Sequence, residues 1–196
     1  MTPKTGTGFL RTQLIVGIAL LVSAMVIVVG AIPLASRAQE ITRYSGTERL
    51  LTAADIAGSA DAVVVARFTG KTDVHWNNRQ NKAWISDSDS EWPLIYRDDV
   101  FDVIRLVRGN LTASDIVVRG IGGSADGATV RFEGQMEWQV GKLVLLALQL
   151  RETPLQGGGT ESAWVVVANH QGAFLEAGST WSNDSGVETT EQDLAR

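Results

Sequence analysis

From Leu14 to Ala35 the run LIVGIALLVSAMVIVVGAIPLA is apolar throughout, with Ser23 its only hydrophilic side chain. At about 1.5 Å per residue a helix of this length covers roughly 33 Å, enough for a bilayer core of about 30 Å. Residues 36–46 are polar and predict a spacer. Ser45-x-x-Glu48 and Thr52-x-x-Asp55 are capping-box patterns. They predict a helix with Leu50, Leu51, Ala54 and Ala57 on one face, stopping at Gly58-Ser59. Ala62–Phe68 is continuous and rich in valine, the pattern of a strand buried on both faces. Residues 70–94 show no apolar period and predict a long excursion, a length at which loops are functional or unstructured. Alternation resumes over Ile95–Val107, with Phe101, Val103 and Val107 opposite Val100, Ile104 and Leu106. Further strands are predicted at Asp115–Ile121, Ala128–Phe132, Trp138–Leu150 (entered through a Gly141-Lys142 turn), Trp164–Ala168 and Gly172–Leu175. From Ser179 onward apolar residues are sparse and acids frequent, which predicts a disordered tail.

The pattern therefore divides the chain into a short N-terminus (1–13), a membrane segment (14–35), a spacer (36–46), one compact domain (47–177) and a polar tail (178–196). Lys4 and Arg11 precede the apolar run and every acid follows it. The positive-inside rule then places residues 1–13 in the cytoplasm and the domain outside. Cleavage after Ala38 is the rival reading, since Ser36-Arg37-Ala38 has small residues at the right spacing. The run is longer than the apolar region of a signal peptide, which favours an uncleaved anchor. Both readings export the domain. Several short strands separated by turns predict a mainly β fold, an antiparallel barrel or sandwich with one flanking short helix.

The motifs Ser59-Ala60-Asp61-Ala62-Val63-Val64-Val65-Ala66, Val100 to Asn110, Asp115-Ile116-Val117-Val118 and Gly141-Lys142-Leu143-Val144-Leu145-Leu146-Ala147 resemble the netrin-module family. That family includes the tissue inhibitors of metalloproteinases and uncharacterised exported bacterial proteins. The resemblance covers about residues 50–150 and implies an OB-like five-stranded barrel with a flanking helix. It does not carry protease inhibition over. The inhibitors act through an N-terminal cysteine held by disulfides, and this chain has no cysteine.

The same absence excludes a disulfide framework, zinc-thiolate and iron–sulfur sites and a thiol nucleophile, and it fits export in a bacterium with little oxidative folding machinery. The formal charge is −5, and beyond the apolar run 15 of the 17 basic residues face all 22 acidic ones. An acidic domain without a basic stripe is not a nucleic-acid binder. No cofactor or metal site is predicted. Gly120-Ile121-Gly122-Gly123-Ser124-Ala125 fits G-x-G-x-x-A, but β-branched residues follow where a dinucleotide fold needs a helix, so an inter-strand loop is expected. Its serine lacks the second glycine of a nucleophile elbow. Asp87-Ser88-Asp89-Ser90-Glu91 begins like a calcium loop, but Trp92 stands where the EF-hand needs glycine; irregular, weak calcium binding stays open beside a plain solvated loop. His75 and His170 are the only histidines, and no local motif sets a nucleophile and an orienting acid beside either.

The strongest surface signal is Trp76, Trp84 and Trp92 interleaved with Asn77, Asn78, Arg79, Gln80, Asn81 and Lys82. Aromatics beside amides suit a peptide or a sugar ring, so Trp76, Trp84, Trp92, Asn77 and Arg79 are the candidate binding residues. The plain alternative is that the tryptophans fold back over the end of the β structure. The sequence thus predicts a non-enzymatic membrane-anchored binding or scaffolding module for a peptide, envelope glycan or membrane-protein partner. The alternatives are an accessory subunit of a membrane complex, with Gly17, Ala19, Ser23, Ala24, Gly30 and Ala31 permitting close helix packing, and an exported hydrolase.

Overall fold

The computed structural model describes residues 39–43, 49–84, 94–132 and 134–196. The membrane segment 14–35, the Ser45-x-x-Glu48 cap, the acidic run 87–91 and Trp92 lie outside them. Among the described residues no helix is long and apolar enough to cross a membrane.

One of the two capping boxes falls on described residues, and it forms. Thr52 Oγ1 accepts from the Asp55 amide (3.2 Å) and Asp55 Oδ2 accepts from the Thr52 amide (3.0 Å), which starts α1 (Ala53–Ser59). The helix is shorter than expected. Leu50 and Leu51 precede it, Leu50 is two-thirds exposed, and the buried face is Ile56 and Ala57. Close packing there needs the small Ala57.

The chain then forms β1 (Gln39–Arg43) ahead of α1, and after it β2 (Ala62–Trp76), β3 (Ile95–Arg108), β4 (Asp115–Ile121), β5 (Gly123–Ala125), β6 (Ala128–Phe132) and β7 (Leu143–Pro154). The rest comprises β8 (Thr160–Val166), β9 (Ala173–Ala177), β10 (Thr180–Ser182), β11 (Glu188–Thr189) and α2 (Glu191–Leu194). The protein is mainly β. Strand β2 runs well past Phe68 because a register shift between Phe68 and Thr72 absorbs the polar Thr69-Gly70-Lys71 stretch, after which pairing with β3 resumes to Trp76. A bulge of this kind reads as a loop in sequence and bends the strand in space.

The large sheet has the order β11-β10-β9-β7-β2-β3-β4-β8, and β8 also pairs with β7. Pairings therefore return to their start: β7-β2-β3-β4-β8-β7. All are antiparallel except β4–β8, which is parallel and rests on one bridge, Val118 to Trp164. Along the edge of β7 away from β2, β8 covers Leu148–Pro154 and β9 covers Val144–Leu146. Between them residues 167–172 loop out: Val167 N donates to Ala147 O, Ala147 N to Gly172 O, and Gly172 N back to Val167 O. A second sheet, β1-β6-β5, sets β1 parallel to β6. Part of the expected spacer is thus a strand.

Alternate residues of β2 enter two cores. Val64, Ala66 and Phe68 join Phe101, Ile116, Val118, Leu146, Leu148 and Val166, a cluster drawn from all five strands of the closed run. Val63 and Val65 join Ile56, Leu145, Ala147, Phe174 and Leu194. Burial on both faces is why the run carries no polar alternation.

Residues 178–196 are a correction to the expected tail. They form β10, β11 and α2, Trp181 and Val187 pack on the second core, and Leu194 is fully buried in it. Three well-spaced apolar residues suffice because each packs into the second core, and singly they do not stand out from the polar residues around them. The compact domain thus extends beyond residue 177.

Candidate functional site

The tryptophan-bearing segment turns inward. Trp76 is 3% exposed, and its Nε1 donates to Asp126 Oδ2 in the β5–β6 turn (3.0 Å). Asn77 is buried, and its Oδ1 accepts from Trp84 Nε1 (2.8 Å) and from the Leu94 amide (3.3 Å). Trp76 packs with Ile95 and Val130, and the half-buried Trp84 joins Val74, Ala125 and Ala128 around them. The physical reason is the β5–β6 hairpin, which needs an apolar cover for its face. Trp76 and Asn77 are thus buried and hydrogen-bonded into the framework, and Trp76 also borders the groove described below. Trp84 keeps a partly exposed edge, Arg79 is exposed, and Trp92 lies outside the described residues.

The structure instead brings together residues that the sequence scatters. Arg119, on β4, clamps Asp98 of β3 with two bonds, Nε to Oδ1 (2.8 Å) and Nη2 to Oδ2 (2.7 Å). Its Nη1 reaches Glu161 of β8 (2.8 Å) and Thr153 of β7 (3.0 Å), and its guanidinium carbon lies 4.9 Å from the centre of the Tyr96 ring. The Tyr96 hydroxyl donates to Pro154 O (2.6 Å). His75 Nε2 lies 3.1 Å from Asp98 Oδ2, while its Nδ1 faces Trp76 O at 3.2 Å. Burial works to raise the Asp98 carboxyl, but hydrogen bonds from Arg119 and His75 outweigh it and hold it below the usual carboxylate range. The Asp98 hydrogen bond pushes Arg119 further above its ordinary value. Burial takes the Tyr96 phenol up to about 12, against a smaller lowering by Arg119.

This cluster floors an open groove. Its walls come from the loop after β2 (Asn78, Arg79, Asn81) and the β7–β8 hairpin (Leu155, Thr160, Glu161), with Asp73 and His75 between. The two walls are joined directly, Gln156 N donating to Asn77 O (2.7 Å). His75 does meet a carboxylate here, the condition under which a hydrolase reading gains ground. Both ring nitrogens already face oxygens, however, and no serine or threonine hydroxyl bonds to either among the described residues.

A second concavity, of about 340 Å³, lies at the end of the closed run of strands. Leu94, Val118, Met136, Trp138, Val165 and Val166 supply apolar walls. Residues 134–138 cross it as a strap pinned from below: Trp138 Nε1 donates to Asp99 Oδ2 (2.7 Å) and Arg97 Nη2 to Met136 O (2.5 Å). Asp99, nearly fully buried, also accepts from Arg97 Nε and Thr72 Oγ1.

Gly120 to Ala125 ends β4 and forms β5, in place of the inter-strand loop expected there. His170 packs against Gly134. Among the described residues no group of three or more His, Asp or Glu side chains is placed to hold a metal. Compared with protein-family models, with curated proteins and with solved structures, the chain matches none.

Proposed function

We propose that the chain is a membrane-anchored extracytoplasmic binding module, non-enzymatic, built on an OB-like five-stranded barrel. Three observations support this reading. The apolar run 14–35, with Lys4 and Arg11 before it, is long enough for an anchor with its N-terminus in the cytoplasm. The closed order β2-β3-β4-β8-β7, parallel only between its third and last strands, is the connectivity expected of an OB-like barrel. The observation that carries the function is the groove on β3 and β4 between the loop after β2 and the β7–β8 hairpin, the position in which OB-like folds take extended ligands. Its exposed Arg79 suits a peptide or envelope glycan, whereas Trp84 lies outside the lining.

The test uses the full-length protein in lipid nanodiscs, titrated with muropeptide fragments and with a panel of extended peptides. Arg79→Ala is expected to weaken binding of at least one probe about fivefold or more without changing the melting temperature. Trp76→Ala is no substitute, because it empties a core. Unchanged binding in Arg79→Ala overturns the groove. The accessory-subunit reading rests on the small residues Gly17, Ala19, Ser23, Ala24, Gly30 and Ala31. Replacing residues 14–35 with an unrelated anchor separates the two: a module keeps its ligand, whereas a subunit loses its complex.

A further inference from the structure

β4 sends Ile116 and Val118 into the core, and the next position of the same parity is Gly120. Most of the described glycines have a local reason. Gly109 takes φ +96°, and a Cβ on Gly172 would lie 2.9 Å from both Ala147 O and Val167 Cβ. Gly120 has neither. Its φ is not in the left-handed region, and a Cβ there would meet only Arg97 O, at 3.8 Å. A glycine inside a strand weakens it and marks close approach of another group. Here only Arg97 O comes within 4 Å, at ordinary contact distance, and the space left open is part of the 340 Å³ cavity.

The rest of that cavity is built to stay open. The strap 134–138 is held by the Asp99 and Arg97 bonds, and the rim at Ala168 and Asn169 keeps φ of 47° and 59°, an uncommon conformation for residues other than glycine. The charged groups in its wall are already engaged: Asp99 by three donors, Arg119 by Asp98, Glu161 and Thr153, and Glu152 by Thr160 and Ser162. Arg151, also in the lining, is exposed and makes no ion pair among the described residues.

We infer that the cavity opened by Gly120 is a ligand site for a compact amphiphilic carboxylate, an aryl or short acyl group on the order of ten carbons, with its carboxylate at Arg151. The cavity shares Arg119 with the proposed groove but not the residues varied in the two tests, so either can fail without the other.

The test follows 4-(4-fluorophenyl)butanoate by fluorine NMR against the full-length protein in lipid nanodiscs, with empty nanodiscs as the blank. Saturable broadening is expected with the wild type. Gly120→Leu fills the space and is expected to abolish it, and Gly120→Ala, which adds one methyl without a clash, to weaken it about threefold or more. Arg151→Met is expected to weaken the acid about tenfold, while the corresponding neutral amide binds wild type and variant alike. The melting temperature of each variant is read alongside; should Gly120→Leu fail to fold, Gly120→Ala decides. Absence of saturable binding, or binding indifferent to both Gly120 variants, overturns the site. Equal affinity for acid and amide in the wild type overturns the assignment of the carboxylate to Arg151.

Discussion

Four side-chain hydrogen bonds converge on Arg119, from a position 8% exposed, and they tie β4 to β3, β7 and β8. Removing one partner of a buried pair costs more than the pair contributes, because the remaining charge stays desolvated. Arg119→Met is therefore expected to lower unfolding stability at pH 7 by about 3 kcal/mol in a urea titration. The pH dependence has a definite sign. Asp98 in the wild type is held below the ordinary carboxylate value, so its contribution is present above the unfolded pKa and is lost as pH falls through the lower folded value. In the variant, burial raises Asp98 against His75 alone, and the ionised form becomes the destabilised one. The stability gap between the two proteins should then shrink below about pH 4; a gap that widens in acid would contradict the clamp. None of this was legible in the sequence, since His75, Asp98, Arg119 and Glu161 belong to four different strands and only the closing of the sheet makes them neighbours. Trp76 shows the converse: a tryptophan among amides is read as surface until Asp126 is found holding its indole nitrogen.

Among the elements, β4 and β6 lie where alternation and turn residues put them, at Asp115–Ile121 and Ala128–Phe132. Local pattern sufficed there because each is a short strand bounded by turns. It failed for β2, whose Thr69–Lys71 bulge looks like a strand end, and for α2, whose four residues offer a single apolar side chain. That helix still has its own signature, a capping box in which Thr190 and Asp193 exchange bonds and hold the exposed Asp193 carboxyl below its usual range. The burial of Leu194 makes the helix a structural lid over α1. Leu194→Ala is expected to destabilise the domain by about 2–4 kcal/mol, measured by chemical denaturation. An effect under about 0.5 kcal/mol, the range of surface substitutions, would return the segment to the status of a tail.

For the whole molecule, the closed run of strands has one weak joint. Every other neighbour in it is paired over several residues, whereas β4 and β8 share the single bridge of Val118 and Trp164, reinforced by Arg119 to Glu161. Local opening should begin there. Native-state hydrogen exchange across residues 160–164 is expected to run about tenfold or more faster than at Val64 and Leu146 in the doubly flanked centre; uniform protection would mean the joint is as strong as the rest.

A different kind of weakness sits at Gln171, in the loop between β8 and β9. Its Oε1 accepts from the Leu51 amide (2.8 Å), its Nε2 donates to Arg49 O (3.2 Å), and its own carbonyl accepts from Asn183 Nδ2 (2.7 Å). The segment before α1 and the turn after β10 are thus buckled to one glutamine. Tension from the N-terminal side meets the β1–β6 pairing first and these few bonds next, each contributing only about 1 kcal/mol, before it reaches the large sheet. The buckle is a mechanical fuse placed after β1: it yields before the large sheet is loaded.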